Sequence, residues 1–225
     1  SDRKRLSQIY LETIGLSASL MSPLFVLFAA LSPEICHVLF GERWQGVDGV
    51  AMTLLLLGAV QCIQFLNGAF LSARGRPEIT LIAGVVKAAA PMLGLLLLPA
   101  SALRELVLIF ACGQLLSAPV SFIFVTRELG LSPMDAARVL GPAALNGICA
   151  FTAVTYARPL VEASEFGAFW RGMALGVVFV VVWACFISIF DRRRFRAAIV
   201  VLLNMIGVGS RRRPASAPRE SVPSR

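Results

Sequence analysis

Long apolar runs alternate with short polar or basic stretches along the whole chain. The plainest run, Gly49 to Ala73, contains no charged residue. It is preceded by the amphipathic segment Gly41-Glu42-Arg43-Trp44 and closed by Arg74-Gly75-Arg76-Pro77. A helix needs about 20 residues to cross a hydrocarbon core of about 30 Å, so this run is long enough to span a bilayer. Arg43 and Trp44 suit the headgroup boundary, while Gly75 and Pro77 end one helix and start the next.

The same pattern predicts five further spans. The first covers Thr13 to Leu31, with Pro23 inside it, after a polar, basic segment from Ser1 to Glu12. Pro23 is tolerated where neighbouring helices satisfy the carbonyl it frees. Ile35 to Trp44 is too short to cross and is read as lying at the interface. The third span, Ile79 to Leu103, contains Lys87 and Pro91, and the fourth runs from Leu106 to Thr126. A polar loop with Arg127, Glu128, Pro133, Asp135 and Arg138 leads to a short fifth span, Val139 to Ala157, with Gly141, Pro142, Asn146 and Gly147. A loop holding Arg158, Glu162 and Glu165 precedes the sixth, Gly172 to Phe190. Residues 191–209 read as a basic, apolar interfacial helix, and 210–225 as a disordered Arg/Pro/Ser tail. The predicted fold is an all-α integral membrane domain of six helices over residues 13–190.

Composition agrees. The 225 residues are 57% hydrophobic and 15% charged, with charge well below the roughly 25% of soluble domains. The formal net charge of +8 raises the question of nucleic acid. The basic residues sit at span borders and in the tail without interleaved aromatics, which points to membrane orientation, with no nucleic-acid partner expected. One side holds Arg3, Lys4, Arg5, Arg74, Arg76, Arg127, Arg138, Arg192, Arg193, Arg194 and Arg196; the other holds Arg43, Arg104, Arg158 and Arg171. The richer side is expected to be cytoplasmic, with both termini on it. The chain begins at Ser1 rather than Met and shows no signal peptide, so it reads as a fragment whose N-terminal part lies upstream, the alternative being a Met removed by processing. Cys36, Cys62, Cys112, Cys149 and Cys185 are scattered, mostly in apolar runs, and form no metal-ligand spacing.

Few polar residues are candidates for function. Lys87 is the one charge embedded in a span, where a mid-membrane lysine costs on the order of 2.5–3.5 kcal/mol on insertion scales. It either faces a water-filled cavity and meets an anion, or snorkels without touching a substrate. Gln61, Gln64 and Gly68 fall at helical spacing on the second span, with Asn67 close by. These amides either line a cavity or bond helix to helix, the commoner use. Gln114 and Asn146 read as interhelical glue. Glu34, Glu42, Asp48, Glu162 and Glu165 fall in the loops of the less basic side and read as solvated. His37 beside Cys36 makes a poor metal site. No catalytic constellation appears, so no enzyme activity, cofactor or metal is expected.

Leu39-Phe40-Gly41-Glu42-Arg43-Trp44, Gln64-Phe65-Leu66-Asn67-Gly68-Ala69 and Arg74-Gly75-Arg76-Pro77 together resemble the C-terminal half of Wzx-like polysaccharide flippases. These form the polysaccharide transport branch of the multidrug/oligosaccharidyl-lipid/polysaccharide exporter superfamily. The likeness covers roughly residues 5–90 and beyond that follows hydropathy and loop pattern. It implies 12 to 14 helices in two six-helix lobes, of which this chain is a partial C-terminal lobe beginning near the ninth helix. It further implies export of polyprenyl-pyrophosphate-linked oligosaccharide across the bacterial inner membrane, for exopolysaccharide, capsule or O-antigen. The partners implied are the lipid-linked oligosaccharide, membrane lipids, and the missing N-terminal lobe or a partner chain supplying it. The anionic pyrophosphate is expected to contact Lys87, with Gln61, Gln64 and Asn67 as polar lining. Rival readings are a drug or peptidoglycan-precursor exporter of the same superfamily, a non-transporting membrane scaffold, and a surface-glycan membrane enzyme. The last is disfavoured by the lack of a long polar loop.

Overall fold

The computed structural model describes residues 2–44, 46–163 and 167–190. The predicted interfacial helix over 191–209 and the tail over 210–225 lie outside the described residues. Seven α-helices and one 3₁₀ turn follow in order: α1 (Asp2–Ala30), α2 (Ser32–Phe40), the turn Glu42–Trp44, α3 (Val47–Ala73), α4 (Pro77–Leu97), α5 (Leu103–Leu129), α6 (Pro133–Glu162) and α7 (Ala168–Phe190). All but α2 are long and apolar enough to cross a membrane, giving six spanning helices among the described residues. The chain is an all-α, multi-pass membrane protein.

α1 and α6 run furthest beyond the spans that hydropathy predicts, whereas α4 ends at Leu97, short of the expected Leu103. α1 begins at Asp2, because Tyr10 and Ile14, one turn apart, are buried against Leu71, Val125 and Leu129. The packing of that stripe extends the helix through a charged segment. α6 starts at Pro133, not Val139, and runs through Arg158 and Pro159. Its start is fixed by a capping box: Ser132 Oγ accepts from the Met134 N–H at 3.2 Å, and the Asp135 carboxylate accepts from the Ser132 N–H at 3.0 Å. The expected polar loop before it shrinks to residues 130–132.

Hydrophobic contacts set the helix order. α1 packs on α3 and α6, α3 on α5, α5 on α4, and α6 on α7, so the helices form a row α4-α5-α3-α1-α6-α7. Two core clusters stitch it. One joins Val26 and Ala30 of α1 to Ala150 and Val154 of α6 and to Leu175 and Phe179 of α7. The other, around Tyr10 and Ile14, joins α1 to α3 and α5. α4, at one edge, exposes Leu81, Ile82, Val85, Met92, Leu93, Leu96 and Leu97. A helix so apolar on its open face belongs against hydrocarbon. α4 and α5 cross at Gly113, where a Cβ would lie 2.5 Å from Pro91 Cα. Only glycine allows that approach.

Candidate functional site

Four residues were singled out as site candidates, and the fold brings two of them together. Gln64 on α3 and Lys87 on α4 line one cavity of about 130 Å³, completed by Gly68, Leu71, Thr80, Ala83, Gly84, Ser117 and Ser121. Lys87 lies ten residues beyond Pro77, about 15 Å into the span at 1.5 Å per residue and so near mid-membrane depth. It is half-buried and has neither a hydrogen bond nor an ion pair among the described residues. Gln64 is only 6% exposed, and its amide has no hydrogen-bond partner among the described residues either. A buried amide and a half-buried ammonium without partners are costly in hydrocarbon, and the cavity is the space where their unused donors can be met.

The remaining polar wall is made of hydroxyls that bond to their own or adjacent helices. Ser117 Oγ donates to the Gln114 carbonyl at 2.9 Å and Ser121 Oγ to the Ala118 carbonyl at 3.2 Å. Thr80 Oγ1 donates to the Gly68 carbonyl of α3 at 3.5 Å. Lys87 and Gln64 therefore supply the free N–H groups of the cavity. No second ionisable side chain lines it. Its uncompensated charge is positive, which suits an anionic oxygen.

Asn67 is placed differently. It is fully buried, with its Oδ1 accepting from Tyr10 Oη at 2.7 Å and its Nδ2 donating to Ser121 Oγ at 3.3 Å. The amide ties α1, α3 and α5 together and is absent from the cavity lining. Gln61, one turn before Gln64, is half-buried and also absent from that lining. Thr80, Ser117 and Ser121 join the site without standing out in the sequence. Gln114, Ser117 and Ser121, at helical spacing in an otherwise apolar run, were the signal for α5.

Glu34 and Arg158 depart most from expectation. Both were read as loop residues, yet Glu34 lies in α2 at 9% exposure and Arg158 lies within α6. The guanidinium donates to both Glu34 carboxylate oxygens, at 2.8 and 3.3 Å, and to the Ala30 carbonyl at 2.6 Å. Glu34 borders a cleft of about 590 Å³ between α1, α2 and α7 whose other lining residues carry no charge. A smaller cleft, beside α2 and the start of α3, is polar. There burial, and secondarily the Asp48 carboxylate, push the Cys36 thiol above its ordinary value. Among the described residues no group of three or more His, Cys, Asp or Glu could hold a metal ion. Compared with protein-family models, curated proteins and solved structures, the chain matches none.

Proposed function

We propose that this chain is part of a bacterial inner-membrane exporter that flips polyprenyl-pyrophosphate-linked oligosaccharide between leaflets. It would contribute a partial C-terminal lobe, with its basic helix ends in the cytoplasm. The observation that carries the proposal is the shared cavity of Gln64 and Lys87, two groups with free donors and no partner, near mid-membrane depth. An unpaired cation there has an insertion cost that an anionic head would offset. The resemblance of the Leu39–Pro77 region to polysaccharide flippases supplies the nature of that anion. At about 130 Å³ the cavity has room for phosphoryl oxygens and not for the glycan, which must lie elsewhere in the transporter.

In this mechanism Lys87 attracts the diphosphate and Gln64 donates to a neighbouring oxygen. Rocking of this lobe against its counterpart then carries the head to the other leaflet. The test is movement of a fluorescent polyprenyl-pyrophosphate oligosaccharide across vesicles holding the chain together with an N-terminal lobe. Flipping above the rate of empty vesicles supports the proposal. Equal rates, with protein inserted and folded, overturn it.

A further inference from the structure

The cleft beside α2 and the start of α3 gathers an aromatic ring, an imidazole and two carboxylates. It measures about 270 Å³ and is lined by His37, Glu42, Trp44 and Asp48, with Pro33, Cys36 and two glycines as its floor. The chain doubles back here through Gly41, whose φ of +69° favours glycine. Trp44 lines the cleft and is 56% exposed, so much of the indole is available to a ligand. It packs against Phe40, with ring centroids 5.7 Å apart and planes tilted by 42°. The side chains of His37, Glu42 and Asp48 have no hydrogen-bond or ion-pair partner among the described residues.

A flat apolar ring, two carboxylate acceptors and an imidazole that can donate or accept are the groups that recognise a sugar. The C–H face of a pyranose lies on the indole, and carboxylates accept from its hydroxyls. Lipid hydrocarbon would meet three polar groups here and satisfy none. A quaternary ammonium is best bound by several rings, and this cleft offers one. The volume lies just under the roughly 300–1,000 Å³ of drug-sized ligand pockets, which fits one sugar ring and not an oligosaccharide.

We infer that the cleft of His37, Glu42, Trp44 and Asp48 is a carbohydrate subsite for a single pyranose ring. It is separate from the Lys87 cavity. That the sugar belongs to the glycan of a flipped cargo rests on the function proposed above; sugar binding itself does not.

The experiment uses the whole chain in detergent, with intrinsic tryptophan fluorescence read against cellobiose, lactose, chitobiose and, as control, tetramethylammonium. At least one disaccharide should change the emission saturably. Trp44→Leu should abolish that change, while Trp170 and Trp183 remain as internal references. Glu42→Gln and Asp48→Asn should each weaken binding at least about tenfold, as loss of a charged hydrogen bond predicts. Asp48 lies in the first turn of α3, past its Gly46 N-cap, so Asp48→Asn removes only a helix-dipole interaction and thermal unfolding should move little. Saturation by tetramethylammonium alone, silence toward all three sugars, or a sugar response that survives Trp44→Leu each overturns the subsite. No transport is involved, so failed flipping with intact sugar binding would sink the flippase reading alone.

Discussion

Arg158 holds Glu34 through both carboxylate oxygens, at 2.8 and 3.3 Å, across 124 residues of sequence. The same guanidinium donates to the Ala30 carbonyl at 2.6 Å, so α6 grips both the end of α1 and the short helix α2. Side-chain exposures of 22% for Arg158 and 10% for Glu34 put the pair largely out of water. Removing one partner of such a pair leaves the other buried and uncompensated, a loss of about 3–5 kcal/mol. Arg158→Met and Glu34→Leu should each fall toward the lower end of that range, because Arg158 retains some solvent. The double variant should recover much of the loss, since no charge then remains unpaired. Denaturant or thermal unfolding in detergent measures all three; additive losses in the double variant would show that the pair is not a coupled unit.

The crossing of α4 and α5 gives a second prediction. At Gly113 the atoms met by an added Cβ are the Pro91 Cα at 2.5 Å and N at 2.6 Å, which are backbone and cannot rotate away. Gly113→Ala must push the helices apart, at a cost of about 1–3 kcal/mol for overpacking. Gly141, with nothing within 4 Å of its Cβ position, should accept alanine freely. Equal melting temperatures for the two variants would show that α4 does not approach α5 as described.

Hydropathy alone was enough to find the six spans, because lipid requires every crossing segment to be long, apolar and helical. It misplaced helix ends wherever tertiary contacts outweighed charge. Tyr10 and Ile14 already stood at the i, i+4 spacing of a buried face, but Tyr10 falls in the polar segment that precedes the first apolar run. Asp135 and Arg138 interrupt the apolar window of α6 without interrupting the helix, which Ser132 caps upstream. Glu34 and Arg158 could not be paired from sequence, since nothing local records a partner 124 residues away. In the cavity, Lys87 was legible as a lone charge and Gln64 as part of a polar stripe. Asn67 sits on a neighbouring helical direction, which separates a bridging amide from a lining one. Only the packing of α1 reveals its partner Tyr10.

That separation is measurable. Tyr10→Phe leaves Asn67 Oδ1 without its donor in a fully buried position, so stability should fall by about 1–2 kcal/mol, in the range for a buried group left unpaired. Asn67→Leu breaks both bonds and should fall further. Gln64→Leu removes an amide that bonds to nothing among the described residues, so it should leave the melting temperature unchanged or raise it. A Gln64→Leu loss as large as that of Asn67→Leu would show that Gln64, too, is interhelical glue.

The last prediction concerns the charge at Lys87 in the assembled transporter. If the ammonium meets a diphosphate, Lys87→Arg should keep part of the export activity, because it keeps the charge while changing its shape. Lys87→Ala should lose most of it at equal protein level. Lys87→Glu should lose nearly all, since a carboxylate in a poorly solvated cavity repels the anion that the ammonium attracts. A lysine that merely snorkels gives the opposite order for alanine: Lys87→Ala removes an insertion penalty of about 2.5–3.5 kcal/mol and should insert as well or better, with export intact. The two readings therefore differ in direction as well as size. Accumulation of lipid-linked oligosaccharide in the inner leaflet, measured beside membrane-inserted protein, decides between them. Full export by well-inserted Lys87→Ala would remove this residue from the mechanism.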